Sequence, residues 1–392
     1  MTNYNIQFAK AVNFGQMQVD WETRIDFQKM RRERLQRARE AMAKNDVDFL
    51  ILLRLENARY VTGIKRLYWP TIRLGGGPVV VLPREGDPGI WITDPSFACK
   101  VLTWVPSDRF RDAPEMELEN EVEGFINDMV GMFGKSIEKA RIGLDIWSPA
   151  MHTVFPQKLP NAKFLDGYKV MIEAEMIKTP EEQACMKMAY TMSEAGMQAA
   201  VDILKPGVRE CELVGTCFKR FWELGSETTQ CSQAVSSGPG TFPYRRVHTD
   251  RIIMMGELVN LDFGACYNGY FGDFSRAFVC GKKPNSAQLD LLKKAHENQM
   301  KGLSVIKPGL IGTELCALAD RKHMGHGIGI AAFQPPHINI TDKVVVQPGM
   351  MFSIDCLTTQ EGVGGVHIED QVIITETGCE VYTTYPYLGI ED

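Results

Sequence analysis

Two aspartates lie in a segment that otherwise reads as apolar β-strand, and this feature constrains the fold more than any other. Residues 256–281 (GELVNLDFGACYNGYFGDFSRAFVCG) place Asp262 in a strand-like run and Asp273 eleven residues later, with glycines at 264 and 269 between them. These glycines predict a hairpin turn. Its strands run antiparallel, so the two side chains can meet across the pair. Facing carboxylates repel unless a cation lies between them, so the hairpin predicts a metal site.

Three later motifs offer further ligands of the same kind. A histidine stands between glycines in the run Gly-His-Gly-Ile-Gly, residues 347–355 (QPGMMFSID) end an apolar run on a carboxylate, and residues 362–375 (GVGGVHIEDQVIIT) hold an acidic side chain inside a strand pattern. Four carboxylates with one imidazole suit Mn, Co, Fe or Zn, and carboxylates shared between two ions about 3.5–4 Å apart form a dinuclear site. The candidate metal ligands are Asp262, Asp273, His326, Asp355 and Glu369.

A chain of 392 residues predicts two domains. In the first half, helical patterns at residues 24–44 and about 116–133 alternate with strand patterns, which predicts an α/β layer with a parallel or mixed sheet. The strand patterns cover residues 48–53, 78–82, 90–93 and 142–145. The glycine run at 75–77 lacks phosphate-binding spacing, and we interpret it as a loop.

A domain boundary is predicted near Ile177 and Lys178. Thr179 and Pro180 suit the cap and first position of a helix, and Glu182 stands three residues after the cap. This helix is expected to end near Leu204. The predicted domains are therefore residues 1–177 and 178–392.

The second half contains a short internal sequence repeat. The sequence Lys-Pro-Gly occurs at 205–207 and again at 307–309, and each time Glu-Leu follows, at 212–213 and 314–315. In both places a helix ends, a turn intervenes and a new helix begins. This repetition predicts a duplicated half-domain with pseudo-twofold symmetry, whose two halves place their ligands around one cleft.

Net charge, cysteine content and the distribution of apolar residues limit the partners and the cellular location that this chain can have. The net charge of −6 argues against nucleic acid as a partner, because phosphate binding needs a basic face. Ten cysteines without a CxxC pair are typical of reduced thiols in the cytoplasm. The N-terminal residues lack the pattern of a signal peptide, and no run reaches the roughly 20 apolar residues of a membrane span. We therefore expect a cytoplasmic protein with neither a nucleic-acid nor a membrane partner.

The order of these motifs resembles the "pita-bread" metallohydrolases, which include methionine aminopeptidase, aminopeptidase P, prolidase and creatinase. The resemblance rests on Asp-x10-Asp, Gly-His-Gly-Ile-Gly, Pro-Gly-Met-x-Phe-x-Ile followed by an acidic residue, and Ile-Glu-Asp before an apolar strand. Residues 57–63 (NARYVTG) resemble the creatinase-type N-terminal domain of the prolidase branch. The resemblance implies an α/β creatinase-like domain followed by an α+β pita-bread catalytic domain with pseudo-twofold symmetry.

The resemblance also implies roles. Asp262 would bind one ion, Asp273 and Glu369 would bridge both, and His326 with Asp355 would complete the other. The two metal ions would activate a water molecule, which would attack the amide of a dipeptide or another small substrate. A homodimer is implied, with the aromatic segment at residues 67–70 (LYWP) as the surface that reaches the partner. The candidate catalytic residues are Asp355, His248, His337 and Arg276.

Three departures from the peptidases bear on the substrate. Asp355 stands where the family usually has glutamate, and Phe333 stands where the peptidases carry a histidine seven residues after the ligand histidine. Before the first aspartate, the peptidase histidine aligns nearest Tyr244 or Arg245, and His248 is the histidine that this segment offers. An alternative is therefore an enzyme of the same fold on a small non-peptide metabolite, as in creatinase, ectoine hydrolase or the dimethylsulfoniopropionate lyase. A third reading is a binding protein without activity.

Overall fold

The computed structural model describes residues 7–8, 25–64, 77–229 and 234–387. These form two compact units, one of residues 26–175 and one of residues 1–25 with 176–392. Strand β1, Gln7–Phe8, belongs to the second of these units. The 67–70 segment and Gly75 and Gly76 lie outside the described residues, so the predictions made for them remain predictions.

The unit of residues 26–175 is built on a six-stranded mixed sheet. Its strands are β2 (Phe49–Leu52), β3 (Val79–Pro83), β4 (Gly89–Trp91), β5 (Phe110–Arg111), β6 (Arg141–Leu144) and β7 (Lys163–Asp166). The strand order is β5-β4-β3-β2-β6-β7. Strand β3 runs antiparallel to both neighbours, and the outer pairings are parallel. The predicted mixed α/β layer is therefore confirmed.

In the described residues of this unit, six α-helices accompany the sheet. They are α1 (Phe27–Lys44), α2 (Leu55–Thr62), α3 (Pro95–Val101), α4 (Glu119–Phe133), α5 (Pro149–Lys158) and α6 (Gly167–Glu175). Helices α4 and α5 cover apolar side chains of the sheet, and the ring of Phe125 contacts both Trp91 and Phe155. The predicted helices at 24–44 and 116–133 are present with slightly later starts.

A buried carboxylate fixes the end of the central strands. Asp145, which follows β6, accepts hydrogen bonds from the backbone N–H of Leu53 at 2.8 Å and of Arg54 at 3.1 Å. The side-chain amide of Asn57 donates to the same carboxylate at 2.8 Å. Burial raises the pKa of Asp145 to about 6, although these three donors act in the opposite direction. The contact ties the first residues of α2 to the strand end.

The part of the larger unit that the structure describes contains four α-helices. They are α7 (Pro180–Asp202), α8 (Glu210–Glu223), α9 (Ser286–Val305) and α10 (Gly312–Ala319). At the start of α7, Thr179 Oγ1 accepts from the Glu182 N–H, and the Glu182 carboxylate accepts from the Thr179 N–H. The predicted helix start is therefore confirmed, and the helix ends two residues before Leu204.

Helices α7 and α8 approach each other closely at Gly196. A Cβ at this position would lie 2.1 Å from Cε1 of Phe221 and 2.9 Å from Sγ of Cys217. Both of those residues are completely buried. Only a residue without a side chain fits between the two helices here, because interiors are close-packed.

The two Lys-Pro-Gly turns occupy equivalent places. The N–H of Gly207 donates to the carbonyl of Ile253, and the N–H of Gly309 donates to the carbonyl of Val346, each at 2.9 Å. Each turn joins two helices, α7 to α8 and α9 to α10. The sequence repeat therefore corresponds to a repeated local structure, a turn between two helices.

A nine-stranded sheet carries the rest of this unit. Seven strands follow the order β14-β13-β15-β16-β12-β9-β8, and β17 pairs with both β16 and β1. Strands β10 and β11 form a separate two-stranded pair. The strands are β8 (Ala234–Ser237), β9 (Leu258–Phe263), β10 (Cys266–Tyr267), β11 (Tyr270–Phe271), β12 (Phe274–Val279), β13 (His323–Gly327), β14 (Gln334–Asn339), β15 (Met351–Gln360), β16 (Gly364–Ile374) and β17 (Cys379–Val381).

Two sequence predictions can be compared directly with this sheet. Strands β9 and β12 pair antiparallel, as the hairpin pattern predicts, and the small β10–β11 pair lies between them in the chain. The strand predicted to end on Asp355 continues for five more residues to Gln360. In the described part of the chain, no helix is long and apolar enough to cross a membrane.

Candidate metal centre

Strand register, rather than closeness in sequence, gathers the candidate ligands. Asp262 of β9 is opposite Ser275 of β12, Ser275 is opposite Glu369 of β16, and Glu369 is opposite Asp355 of β15. Side chains of directly paired residues project from the same face of a sheet. These four residues therefore form one row across four strands, with Asp273 immediately before β12.

The first donor group contains Asp273, His326 and Glu369. Nε2 of His326 lies 3.7 Å from Oδ2 of Asp273 and 3.7 Å from Oε1 of Glu369. All three residues are buried, and one donor atom from each lies within 4.8 Å of the others. The hydroxyl of Ser353 donates to Oε1 of Glu369 at 2.6 Å. These three residues were predicted together from the sequence.

The backbone fixes the orientation of the His326 imidazole. Nδ1 lies 3.0 Å from the carbonyl oxygen of Gly327, which can only accept. Nδ1 therefore carries the hydrogen in the neutral ring, and the lone pair is on Nε2, toward the carboxylates. Burial lowers the pKa of His326. The neighbouring Glu369 and the Gly327 carbonyl raise this pKa by more than burial lowers it, so the pKa lies above its ordinary value.

The second donor group contains Asp262, Glu369 and a residue that the sequence analysis missed, His367. One donor atom from each lies within 4.8 Å of the others, and all three are buried. His367 stands two residues before Glu369 on β16, so both side chains project from the same face. This spacing was visible in the sequence and was the signal that would have identified it.

The two groups share Glu369, and their chemistry fits divalent cations. Three carboxylates and two imidazoles converge in a buried space, where like charges are costly unless a cation neutralises them. The buried guanidinium of Arg276 forms its ion pair with Asp370, at 2.8 Å. Carboxylate and imidazole donors in this proportion suit first-row divalent ions.

Asp355 lies beside these groups and contacts a different residue. Its Oδ2 is 3.1 Å from Nε2 of His323, which is half-exposed at the start of β13. Burial raises the pKa of Asp355, but the hydrogen bond and charge of His323 outweigh it and lower the pKa. Among the described residues, neither donor group includes Asp355.

Arg276 contacts the backbone of the ligand strand. Its Nη1 donates to the carbonyl of Glu369 at 2.8 Å, and its Nη2 donates to Oδ1 of Asp370 and to the carbonyl of Tyr385, both at 2.8 Å. As the neighbour of Ser275 in β12, it projects from the opposite face of the sheet. Its contacts hold β16 in position.

The two remaining candidate histidines have different surroundings. His248 is exposed in the loop before β9 and belongs to neither donor group. His337 of β14 is directly opposite His326. The ring of Phe333 contacts both of these imidazoles, with centroid distances of 4.3 Å to His326 and 4.9 Å to His337, and is 60% exposed. Burial lowers the pKa of His337.

The loop before β9 brings an aromatic residue to the second group. The hydroxyl of Tyr244 lies 3.2 Å from Nδ1 of His367. The neighbouring Arg245 donates to both carboxylate oxygens of the buried Glu210, at 2.7 and 2.6 Å. The guanidinium of Arg246 lies over the Tyr244 ring, 5.5 Å from its centroid. Arg245 thus anchors the loop that carries Tyr244.

Two family models match separate parts of the chain. Residues 184–376 match the model of metallopeptidase family M24. Residues 34–177 match the model of the creatinase/prolidase N-terminal domain. The matched ranges correspond to the larger unit and to the unit of residues 26–175, respectively.

Individual relatives agree with these matches. The chain is 27% identical over 364 residues to an Xaa-Pro dipeptidase of Pyrococcus furiosus, which covers 90% of this chain and 98% of that protein. Its fold is similar to an Xaa-Pro dipeptidase from Bacillus anthracis, with a TM-score of 0.76 and 22% identity over 91% of this chain and 98% of that one. An X-Pro aminopeptidase from Thermotoga maritima gives a TM-score of 0.75 at 20% identity, over 90% and 98% of the two chains.

Proposed function

The chain belongs to metallopeptidase family M24 and is a metal-dependent hydrolase of the creatinase, prolidase and aminopeptidase P type. We propose that it is a dinuclear enzyme that cleaves an amide bond in a dipeptide or a similarly small substrate. The observation that carries this proposal is the pair of buried donor groups that share Glu369. The P. furiosus relative named Xaa-Pro dipeptidase supports the substrate class. Membership of a family of hydrolases argues against the alternative of a binding protein without activity.

The proposed ligands are the five residues predicted from the sequence. By the family resemblance, Asp262 would bind one ion, Asp273 and Glu369 would bind both, and His326 with Asp355 would bind the other. In the structure Asp355 contacts His323, so it would have to leave that contact to bind an ion. Divalent ions held there, Mn, Co, Fe or Zn, supply charge that polarises an amide carbonyl and lowers the pKa of an attacking water. The chain itself keeps the donors in place: Ser353 orients Glu369, and Arg276 holds the backbone of the same residue.

Metal content tests this proposal. We expect about two divalent ions per chain after reconstitution, and loss of both in Asp273→Asn, because a bridging ligand serves both ions. Elemental analysis after gel filtration measures this directly. Asp290→Asn, an exposed position on α9, is the matched control and should keep both ions. A wild-type protein that binds no transition metal after reconstitution would contradict the proposed mechanism.

A second candidate is hydrolysis or elimination on a compact non-peptide metabolite, and the position of Phe333 favours it. Its exposed ring contacts the His326 imidazole at a tilted angle, and a benzyl group donates no hydrogen bond to an oxyanion. Losing one such donor typically costs about 10²–10³ in rate. An apolar or cationic part of a substrate can instead rest against the ring.

Xaa-Pro dipeptides distinguish the two candidates. We expect slow turnover of Gly-Pro and Ala-Pro by the wild type with Mn²⁺ or Co²⁺, and faster turnover by Phe333→His. Phe97→His, an exposed phenylalanine in the unit of residues 26–175, is the matched control. Wild-type turnover as fast as that of an ordinary prolidase would favour the peptidase and show that the missing donor is not needed.

The expectations of a homodimer and of a cytoplasmic location belong to the same proposal. The homodimer rests on family resemblance, and light scattering at working concentration tests it. The cytoplasmic location rests on the ten cysteines, of which nine lie in the described residues and form no disulfide.

A further inference from the structure

We propose that His367 is a sixth metal-binding residue, which completes an ion site with Asp262 and Glu369 and gives each of the two ions one imidazole. The inference deepens the proposed function, since it concerns the same dinuclear site. Neither the motif order nor the family resemblance assigns a role to this histidine.

The position of His367 fits coordination. Its Nδ1 lies 3.9 Å from Oδ2 of Asp262. Two donor atoms bound about 2.0–2.2 Å from the same ion can be separated by that distance. A ring nitrogen also lies within 4.8 Å of a Glu369 oxygen, and the side chain points from the ligand-bearing face of β16.

Hydrogen bonds within the described residues do not account for the ring. His367 is 1% exposed, and its Nε2 has no hydrogen-bond partner in that part of the chain. The other nitrogen has only the Tyr244 hydroxyl, at 3.2 Å. A buried imidazole with an unsatisfied nitrogen is costly. An ion beside Asp262 and Glu369 would bind Nδ1, the nitrogen nearer Asp262, whose single hydrogen-bond partner among the described residues is the Tyr244 hydroxyl.

His367 also supplies the imidazole of the second donor group. Asp355 is paired with His323 at 3.1 Å and lies outside both donor groups of the described residues. Without His367, the second group would retain two carboxylates and no imidazole. With it, each donor group contains one imidazole beside its carboxylates.

This composition has a consequence for metal choice. Imidazole suits Zn, Fe, Cu and Ni, whereas carboxylate and water ligands suit Mn, Mg and Ca. We therefore expect wild-type protein to select Zn²⁺ over Mn²⁺ at both sites. Removing the imidazole should weaken this preference at one site.

The test measures metal binding rather than turnover. Wild type, His367→Ala and His367→Gln are made metal-free and titrated with Co²⁺, with binding followed by the visible absorption of the bound ion and by elemental analysis. We expect each variant to lose one Co²⁺ per chain, or to bind it at least about tenfold more weakly. Competition between Zn²⁺ and Mn²⁺ should show the reduced preference.

Controls separate this inference from the dinuclear proposal. His152→Ala, an exposed histidine in the unit of residues 26–175, should titrate like the wild type. Circular dichroism of the metal-free variants reports their folding, and His367→Gln retains much of the side-chain volume. Variants that match the wild type in stoichiometry, affinity and absorption would overturn the role of His367. A wild type that binds only one ion would instead contradict the dinuclear proposal, and the difference between wild type and variants would still decide on His367.

Discussion

Buried carboxylates in this protein serve two different purposes, and Asp145 shows the one that has nothing to do with metal. It accepts three hydrogen bonds from the strand end and helix start around it, yet burial raises its pKa to about 6. In the unfolded chain the pKa of an aspartate is about 3.9. The folded state therefore binds the proton more tightly, and the stability that this group contributes is present below about pH 4 and is lost as the pH rises through about 6.

We predict that Asp145→Asn removes this pH dependence. An amide does not titrate, so the difference in unfolding free energy between wild type and variant should be larger at about pH 4.5 than at about pH 7, by on the order of 1–3 kcal/mol. Urea denaturation followed by tryptophan fluorescence measures the difference. The exposed Asp112→Asn should show no such change. The same difference in unfolding free energy at both pH values would contradict the raised pKa of Asp145.

At this scale the sequence pattern indicated which residues to consider as ligands, but not the contacts that they make. The pattern identified Asp273, His326 and Glu369 because polar residues inside apolar strands are conspicuous. It did not predict the contact between Asp355 and His323, since this depends on how β13 is placed against β15, where β13 also has register shifts against β14. His367 was not predicted as a ligand, although it stands two positions before Glu369 in the same strand pattern.

Helices α7 and α8 show how one small residue decides the packing of two elements. Gly196 faces Phe221 with no room for a methyl group, whereas a Cβ at Gly215 of α8 would meet nothing within 4 Å. The two glycines share a helical setting and differ only in their surroundings. Intrinsic helix propensity favours alanine over glycine by about 1 kcal/mol at either position.

We predict opposite effects for alanine at these two positions. Gly196→Ala forces the buried Phe221 to move and should lower the free energy of unfolding by about 1–3 kcal/mol. Gly215→Ala should raise it by about 0.5–1 kcal/mol. Chemical denaturation of both variants measures the contrast. A stabilised Gly196→Ala would mean that the two helices separate at little cost.

Elements were predicted well where local signals specify them. The capping residues at 179–182 gave the start of α7, and the repeated turns gave the two helix pairs. The strand order could not be predicted, because β16 pairs with β12 and β13 pairs with β15 through contacts between residues far apart in the chain. The extension of β15 beyond Asp355 likewise depends on its long pairing with β16, which the sequence pattern does not display.

On the scale of the whole molecule, bound metal should stabilise one of the two compact units. All candidate ligands lie in the unit that includes residues 176–392, and the other unit has its own apolar core. Ligands that bind only the folded state stabilise it, by about 2.7 kcal/mol at a free concentration one hundred times the dissociation constant.

We therefore predict that a chelator lowers the unfolding temperature of a single calorimetric transition. Adding back Zn²⁺ should restore it, in proportion to the logarithm of the free metal concentration. Asp273→Asn is the control, and its transitions should be the same with and without metal. Equal shifts of every transition, or a shift that persists in Asp273→Asn, would show that the stabilisation does not come from this site.

The row of ligands across the sheet also limits how this chain can change over evolutionary time. Side chains alternate between the two faces of a strand, so a single-residue insertion or deletion within β9, β12, β15 or β16 turns every later residue of that strand to the other face. Replacing one acidic residue by a shorter one, as at Asp355, alters reach but leaves the row intact. Lineages of such proteins should therefore vary in the identity of the residues along these strands while keeping the lengths of the strands fixed, and length changes should collect in the loops between them.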